Sequence, residues 1–189
     1  MVAALALPPF AAHAAMQTRP PVLQPDTAAR IAALDALFSE LKRAPTPVEA
    51  ERISSLIWQA WGNSGSDNID LMMDWVQASM QRRDYSAALD LLDQIVLLAP
   101  DYAEAFNRRA TVHFMMKHYA QSMADIGRTL MLEPRHYGAL NGMAQIFRIQ
   151  GNETAALKTY ERILDLYPMM RSAQSAVGEL ADSLAGDRI

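Results

Sequence analysis

Apolar residues recur at matching positions in three consecutive segments of equal length, 69–102, 103–136 and 137–170. Each segment has the apolar spacing of two helices and carries a proline near its end, where a helix must stop. The prolines are Pro100, Pro134 and Pro168, whose sequence numbers differ by 134 − 100 = 34 and by 168 − 134 = 34. The pattern therefore predicts one helical hairpin, helix A followed by helix B, repeated three times in tandem.

Side-chain size also repeats with this register. Small residues stand at positions 8 and 20, where the two helices of a hairpin approach closely, because a large side chain would push them beyond the ~8–10 Å of ordinary helix packing. Larger apolar residues at positions 4, 24 and 30 are predicted to fill the space between hairpins. The small set is Val76, Ala88, Ala110, Ser122, Ala144 and Ala156, and the large set is Met72, Leu92, Leu98, Phe106, Ile126, Leu132, Leu140, Tyr160 and Leu166.

The period and these positions resemble the tetratricopeptide repeat (TPR) family over residues 69–170, about half of the chain. Arg109 departs from the family at an often apolar position 7, Ser79 and His113 depart at position 11, and only Gly151 supplies the expected turn glycine. The resemblance implies an all-α fold, a right-handed superhelical TPR solenoid with a concave groove. It also implies an interaction module.

Helical spacing extends to both sides of the repeats. Residues 26–62 read as an N-terminal helical hairpin, whose second helix starts at a capping box, Thr46-Pro47-Val48-Glu49. It lacks the signature of the three repeats and is predicted to be a degenerate or capping repeat. Trp58 and Trp61 are interpreted as sealing the end of the stack, with a functional aromatic role as the alternative. Residues 171–189 are predicted to form a C-terminal capping helix with one polar face, and a tail.

Residues 1–14 have the pattern of a signal peptide. Met1 to Ala15 contains no Lys, Arg, Asp or Glu, and Ala12-His13-Ala14 supplies the small residues of a cleavage site. An Ala-rich leader that is never cleaved is the alternative. Residues 15–25 form a Pro-rich linker. We therefore predict a periplasmic protein, with a cytoplasmic one as the alternative, and no membrane insertion after signal removal, because the apolar run is too short to span a bilayer.

Composition narrows the class further. A hydrophobic content of 51% and a charged content of 20% are ordinary for a soluble globular protein. The net charge of −4 argues against a nucleic-acid partner. The absence of cysteine excludes a disulfide framework, a thiolate metal site and a cysteine nucleophile.

The sequence offers no set of residues arranged for catalysis. Four histidines, at 13, 113, 118 and 136, lack the spacing of a metal site, and no glycine-rich phosphate loop or nucleophile elbow occurs. His113 is interpreted as a packed, hydrogen-bonded core histidine, because it has no second ligand nearby. We predict a protein that is not an enzyme and that uses no cofactor and no metal.

The TPR resemblance implies a peptide-binding groove along helix A, at positions 2, 5, 6, 9, 12 and 13, which helical geometry places on one stripe. Amides on this stripe can both donate to and accept from a peptide backbone, and Met and Phe offer adaptable apolar contacts. The predicted groove residues are Met73, Gln77, Met80, Gln81, Glu104, Asn107, Arg108, Thr111, Phe114, Met115, Asn141, Gln145 and Arg148.

Two glycines interrupt the stripe. Gly138 and Gly142 each cost their helix about 1 kcal/mol relative to alanine, which indicates either a partner side chain in the gap or tight packing against repeat two. In TPR proteins that clamp a C-terminal carboxylate, Lys, Asn and Arg occupy five such positions. Here those positions hold Met73, Gln77, Arg108, Gly138 and Gly142, of which only Arg108 is cationic, so this clamp is not expected.

Three blocks resemble small secreted TPR proteins of proteobacteria: Trp58-Gln-Ala-Trp61, Glu104-Ala-Phe-Asn-Arg-Arg-Ala110 and Pro134-Arg-His-Tyr-Gly-Ala-Leu140. This resemblance implies a periplasmic protein connected with cell-envelope integrity. We predict a non-enzymatic scaffold that binds a protein or peptide segment in its groove. The alternative is a self-associating structural protein, a homo-oligomer without a groove ligand.

Overall fold

The computed structural model describes residues 25–186, which form nine α-helices joined by short turns. The predicted signal peptide lies outside the described residues, as does the linker apart from Pro25, with which the first helix begins. The helices are α1 (Pro25–Arg43), α2 (Pro47–Gly62), α3 (Asp67–Gln81), α4 (Tyr85–Leu98), α5 (Ala103–Met115), α6 (Tyr119–Leu132), α7 (Tyr137–Ile149), α8 (Glu153–Leu166) and α9 (Arg171–Gly186).

Helices α3 to α8 form the three predicted hairpins. Their second helices begin at Tyr85, Tyr119 and Glu153, whose sequence numbers differ by 119 − 85 = 34 and by 153 − 119 = 34, and each ends two residues before its proline. Consecutive hairpins pack through α4 with α5 and α6 with α7. The all-α TPR solenoid is therefore confirmed, with the period that the prolines indicate.

The turn inside each hairpin contains one residue with a left-handed backbone. Gly151 has this conformation, with φ of 72°, and so do Arg83 and Lys117 at the equivalent places, with φ of 59° and 61°. A residue with a Cβ atom loses about 1–2 kcal/mol in that conformation, whereas glycine does not. The first two turns thus keep the geometry of the third without its glycine.

Small residues bring the two helices of each hairpin together as predicted. All six of them are at most 3% exposed, and the Ser122 hydroxyl donates to the Ala110 carbonyl at 2.8 Å, which ties α6 to α5. The prediction for position 30 is wrong in repeat one, where Leu98 is 68% exposed. In repeat three, α1 packs on α8 and covers the equivalent Leu166, but no helix in the described part of the chain lies over Leu98.

The N-terminal hairpin does not stack before repeat one, so its prediction as an end cap is wrong. Instead α1 packs on α8 and α2 on α5. The hydroxyls of Tyr137 and Ser54 share a hydrogen bond of 2.8 Å, and Arg135 donates to Asp35 at 2.6 Å. Repeat three offers an apolar surface for this hairpin. The common core contains Phe38, Leu41, Ile53, Ile57, Trp61, Tyr137, Leu140 and Tyr167.

Helix α9 closes the other end of the stack. It packs on α8 through buried Ala173, Ala176 and Leu180 and leaves polar residues outward, as the sequence indicates. The core therefore runs along the hairpins and is widest where repeat three meets α1, α2 and α9. Over residues 25–186, no helix combines the length and the apolar character needed to cross a membrane.

Candidate functional site

A pocket of about 190 Å³ opens between the first helices of repeats two and three, α5 and α7. Gly142 and the buried residues Ser122 and Ile126 also line it, and its lining contains no charged side chain. Six of the predicted groove residues come together here: Asn107, Thr111, Phe114, Met115, Asn141 and Gln145.

The polar groups of the pocket follow the repeat. Asn141 stands one full repeat after Asn107, and Gln145 stands one full repeat after Thr111. Helices α5 and α7 therefore each carry a polar side chain at repeat positions 5 and 9. The Thr111 hydroxyl donates to the Asn107 carbonyl one turn back at 2.9 Å. An amide can donate and accept at once, which is what an extended peptide backbone requires of its neighbours.

Glu104 is not a groove residue, contrary to the prediction. Its side chain is 2% exposed, and it accepts hydrogen bonds from Arg108 at 2.7 Å, from Asn107 at 2.9 Å and from His136 at 3.1 Å. Burial alone raises the pKa of this carboxyl, but the hydrogen bonds from His136 and Arg108, together with the positive charge of Arg108, hold the pKa below its usual value. Glu104 therefore orients Asn107 from beneath instead of facing a partner.

His136 holds this carboxylate in place and was not singled out by sequence reasoning. Its Nδ1 accepts from the Ala139 amide at 3.1 Å and caps α7, so its Nε2 carries the proton that it donates to Glu104. The ring is fully buried and stacks on Trp61 at 4.0 Å with a 13° interplanar angle. Its position just before α7, as a possible cap, was the only sequence signal for this role.

The N-terminal hairpin thus reaches the pocket through a chain of contacts, from Trp61 to His136, Glu104 and Asn107. The same hairpin also explains one of the two glycines. A Cβ atom on Gly138 would lie 2.5 Å from Cη2 of Trp58, so the gap is filled neither by a partner nor by repeat two.

The second glycine, Gly142, has more space around it than Gly138. A Cβ atom on Gly142 would lie 3.4 Å from Cδ1 of Ile126 on α6. This is an ordinary van der Waals distance, so packing against repeat two does not require a glycine at this position, and a partner side chain in the gap stays a prediction.

The other predicted groove residues do not line the pocket. Arg108 is bound to Glu104 and also donates to Gln77 at 2.9 Å. Met73 and Met80 pack against the core of repeat one. Gln81 is exposed at the end of α3, and Arg148 pairs with Glu179 of α9 at 3.2 Å. The role of these residues in binding stays a prediction.

Arg109 and His113 line the opposite side of α5. Arg109 binds Asp125 of α6 at 2.7 Å and Asp93 of α4 at 2.8 Å, so a charged residue at position 7 joins three helices. His113 is packed, but the prediction that it is hydrogen-bonded is wrong for Nδ1, which is buried without a partner in the described part of the chain. Burial is the main cause that lowers the pKa of His113.

Across residues 25–186, no three His, Asp or Glu side chains lie together in a way that could hold a metal ion. The described site combines hydrogen-bonding amides with apolar side chains. The fold and the pocket together define a class of protein, a helical-repeat solenoid with a pocket between neighbouring repeats.

Sequence relatives show which family of helical-repeat proteins the chain belongs to. A TPR repeat-containing protein of Rhizobium etli is 49% identical over 155 residues, which span 82% of this chain and 76% of that protein. The chain belongs to the TPR repeat-containing proteins. No model of a protein family matches the sequence.

Solved structures agree on the fold. The first TPR of Spaghetti, bound to an HSP90 peptide, superposes with a TM-score of 0.58 at 20% identity, over 62% of this chain and 93% of that one. MamA superposes with a TM-score of 0.57 at 16% identity, over 84% of each chain. At these identities the likeness concerns the fold alone.

Proposed function

We propose that this TPR protein is a non-enzymatic scaffold that binds an extended segment of a partner protein between α5 and α7. The observation that carries the proposal is the uncharged pocket, with the amides of Asn107, Asn141 and Gln145 above an apolar floor. Asn107 is held by Glu104 through its amide nitrogen, which leaves its carbonyl oxygen as an acceptor for a peptide N–H. A site that is preorganised in this way loses less side-chain entropy on binding.

The chemistry of the pocket selects the partner segment. Its uncharged lining suits an apolar side chain as anchor, since a carboxylate or ammonium group would be desolvated there without a counter-ion. Phe114 and Met115 extend the apolar surface, and Met115 is 54% exposed. The partner is therefore an internal, extended stretch with an apolar residue between backbone groups that pair with amides.

A free C-terminus is not the expected ligand. The Spaghetti TPR holds an HSP90 peptide of sequence SRMEEVD, which is acidic at its end. In this chain Arg108 is the only cation at the clamp positions, and its guanidinium is already bound to Glu104 and Gln77. No charge is left there for a terminal carboxylate.

The proposal also places the scaffold in the periplasm, in support of cell-envelope integrity. Its support is the small-residue pattern at Ala12-His13-Ala14 and the resemblance to small secreted TPR proteins. A fusion of residues 1–24 to a reporter that is active only after export tests the location. An inactive fusion would return the protein to the cytoplasm.

Binding is tested by capture from a periplasmic extract and by titration with the captured segment. Asn141→Ala removes an amide without disturbing the Glu104 network, and we expect at least a ~10-fold loss of affinity, the value of about 1.4 kcal/mol of hydrogen bonding. Gln81→Ala removes an exposed amide outside the pocket and serves as the matched control. If the combined Asn107→Ala and Asn141→Ala variant captures the same proteins as the wild type, the pocket is not the binding site.

A further inference from the structure

Repeat one exposes a helix face that the other two repeats bury. Positions 3 and 10 of helix A are at most 1% exposed in α5, where they hold Ala105 and Val112, and in α7, where they hold Ala139 and Ile146. In α3 the residue at position 3 is Leu71, which is 49% exposed. The face that joins each repeat to its predecessor is thus open at the start of the stack.

The open face follows from the position of the N-terminal hairpin. In a regular stack α3 would pack on the hairpin before it, but α2 does not pack along α3 because it lies against α5 and repeat three. Trp75, at position 7, is 52% exposed. Its equivalent in repeat two, Arg109, is only 21% exposed and bridges two neighbouring helices.

The exposed face has the spacing of a helix that pairs with another helix. Asn68, Leu71, Trp75, Ala78 and Arg82 follow one another at intervals of three, four, three and four residues. This is the seam spacing of paired helices. Trp75 is the centre of the stripe, with seven residues to Asn68 on one side and seven to Arg82 on the other.

The charges at the two ends of the stripe are opposite. Asp67 opens α3, Arg82 follows its last residue, and neither takes part in an ion pair within the described residues. If a second α3 crosses antiparallel about Trp75, each Arg82 meets the Asp67 end of the other helix. The two ends of the face are therefore complementary in charge.

A head-to-tail arrangement lacks an apolar partner. Helix α9 forms the opposite end of the stack, and no large apolar residue within its described part is exposed. A two-fold arrangement places the same patch on both sides and closes after two copies. In that symmetry Leu71 and Trp75 of both copies become covered.

We propose that two copies of this chain pair antiparallel through the α3 face, with Trp75 at the two-fold axis and Asp67 of each copy opposite Arg82 of the other. The residues that line the pocket lie on α5, α6 and α7, so the pair leaves the pocket open. The contact is small and belongs to the weak class of interfaces. Dimer formation and groove binding are therefore independent properties.

Sedimentation equilibrium of the full chain, from about 5 to 500 µM, measures the pairing across the range expected for a weak interface. We expect the mass to rise from one chain to two, and Trp75→Glu to weaken association at least ~100-fold, because it places two carboxylates at the axis. Leu97→Glu is the matched control, since Leu97 is 80% exposed on α4 and lies outside the stripe. A wild type that stays monomeric throughout, or a Trp75→Glu variant that pairs normally, would overturn the proposal.

Charge reversal tests the antiparallel arrangement. Asp67→Arg and Arg82→Asp each place like charges at both ends of the pair, so each variant alone is expected to weaken pairing. Their equimolar mixture restores two opposite pairs and is expected to form a mixed dimer. If circular dichroism shows both variants folded and the mixture remains monomeric, the antiparallel arrangement is wrong.

A photo-cross-linking amino acid in place of Leu71 identifies what covers the face. A product of two chains joined between their α3 helices is expected. A cross-link to residues 1–24 of the same chain would overturn the proposal and assign the face to that segment. Asn141→Ala is expected to leave the dimer unchanged. Failure of the dimer proposal can therefore be distinguished from failure of the proposed binding site between α5 and α7.

Discussion

Gly138 is the point at which the structure makes its sharpest prediction. In Gly138→Ala the new Cβ atom would lie 2.5 Å from Cη2 and 2.9 Å from Cζ2 of Trp58. Ordinary contact begins at 3.4 Å, so the indole must move by about 3.4 − 2.5 = 0.9 Å. It is not free to do so, because Trp61, His136 and Tyr137 surround it with ring centroids 5.2 to 5.7 Å away.

Two effects of opposite sign decide the outcome. Alanine is favoured over glycine in a helix by about 1 kcal/mol. An extra carbon in a packed core costs about 1–3 kcal/mol, and a contact this short lies at the upper end. We therefore expect Gly138→Ala to lower the free energy of unfolding by about 1–2 kcal/mol.

Urea unfolding of a double-mutant cycle tests this reasoning. Trp58→Ala removes the obstacle, so in that background Gly138→Ala should raise the free energy of unfolding by about 1 kcal/mol, with a reversal of sign. Gly127→Ala and Gly178→Ala are the controls, since a Cβ atom there meets nothing within 4 Å and only the helical gain of about 0.5–1 kcal/mol remains. The reasoning is refuted if Gly138→Ala stabilises the wild type as the controls do.

Three further tests, with four substitutions in all, concern other parts of the structure. The pKa of Glu104 in the folded protein is held below its value in the unfolded chain. The ionised carboxylate therefore stabilises the fold above pH ~4.3, and this contribution is lost as the pH falls through the folded-state pKa. In Glu104→Gln the melting temperature should therefore fall less steeply as the pH is lowered. Lys117→Gly should raise the free energy of unfolding by about 0.5–1 kcal/mol in urea, whereas Gly151→Ala should lower it by about 1 kcal/mol. Arg109→Leu leaves Asp125 buried without its cation and should cost about 2–3 kcal/mol in thermal unfolding, less than a fully buried pair because Arg109 is 21% exposed.

A specific outcome would refute each of these three tests. Parallel acid curves for the wild type and Glu104→Gln would show that the carboxylate carries no pH-dependent stability. A Lys117→Gly variant less stable than the wild type would mean that the lysine side chain outweighs its backbone strain. If Arg109→Leu is as stable as the wild type, the Asp125 carboxylate must be solvated in the folded protein and does not need Arg109.

The repeats could be predicted because their signal is local and periodic. The small residues at Ala110 and Ser122 and the proline at 134 act within one hairpin, so spacing along the chain is enough to place them. The hairpin α1–α2 could not be placed in this way. Its apolar face shows that Ile53 and Ile57 are covered, but helical spacing does not say which helix covers them.

The repeat register predicted which of the pocket side chains lie on one face for the same reason. The repeat register puts Asn107 and Asn141 on one face, and the pocket forms between them. Glu104 was misplaced because its register position points toward a region that α2 and His136 occupy, and this depends on contacts between distant segments. The helical glycine Gly138 indicated a close approach in advance, but the sequence assigned it to a partner or to repeat two and not to Trp58.

The N-terminal hairpin changes how the chain must fold, because it packs on repeat three. In an ordinary solenoid each repeat touches only its neighbours, so cooperativity spreads from one unit to the next. Here Ser54 bonds Tyr137 across 83 residues and Asp35 bonds Arg135 across 100, which raises the contact order. Ser54 on α2 and Tyr137 on α7 are 83 residues apart. At about 5–20 residues per second of synthesis, α7 therefore follows α2 after about 4–17 s. Helices α1 and α2 are thus completed only when repeat three has emerged, and these segments gain their stability together.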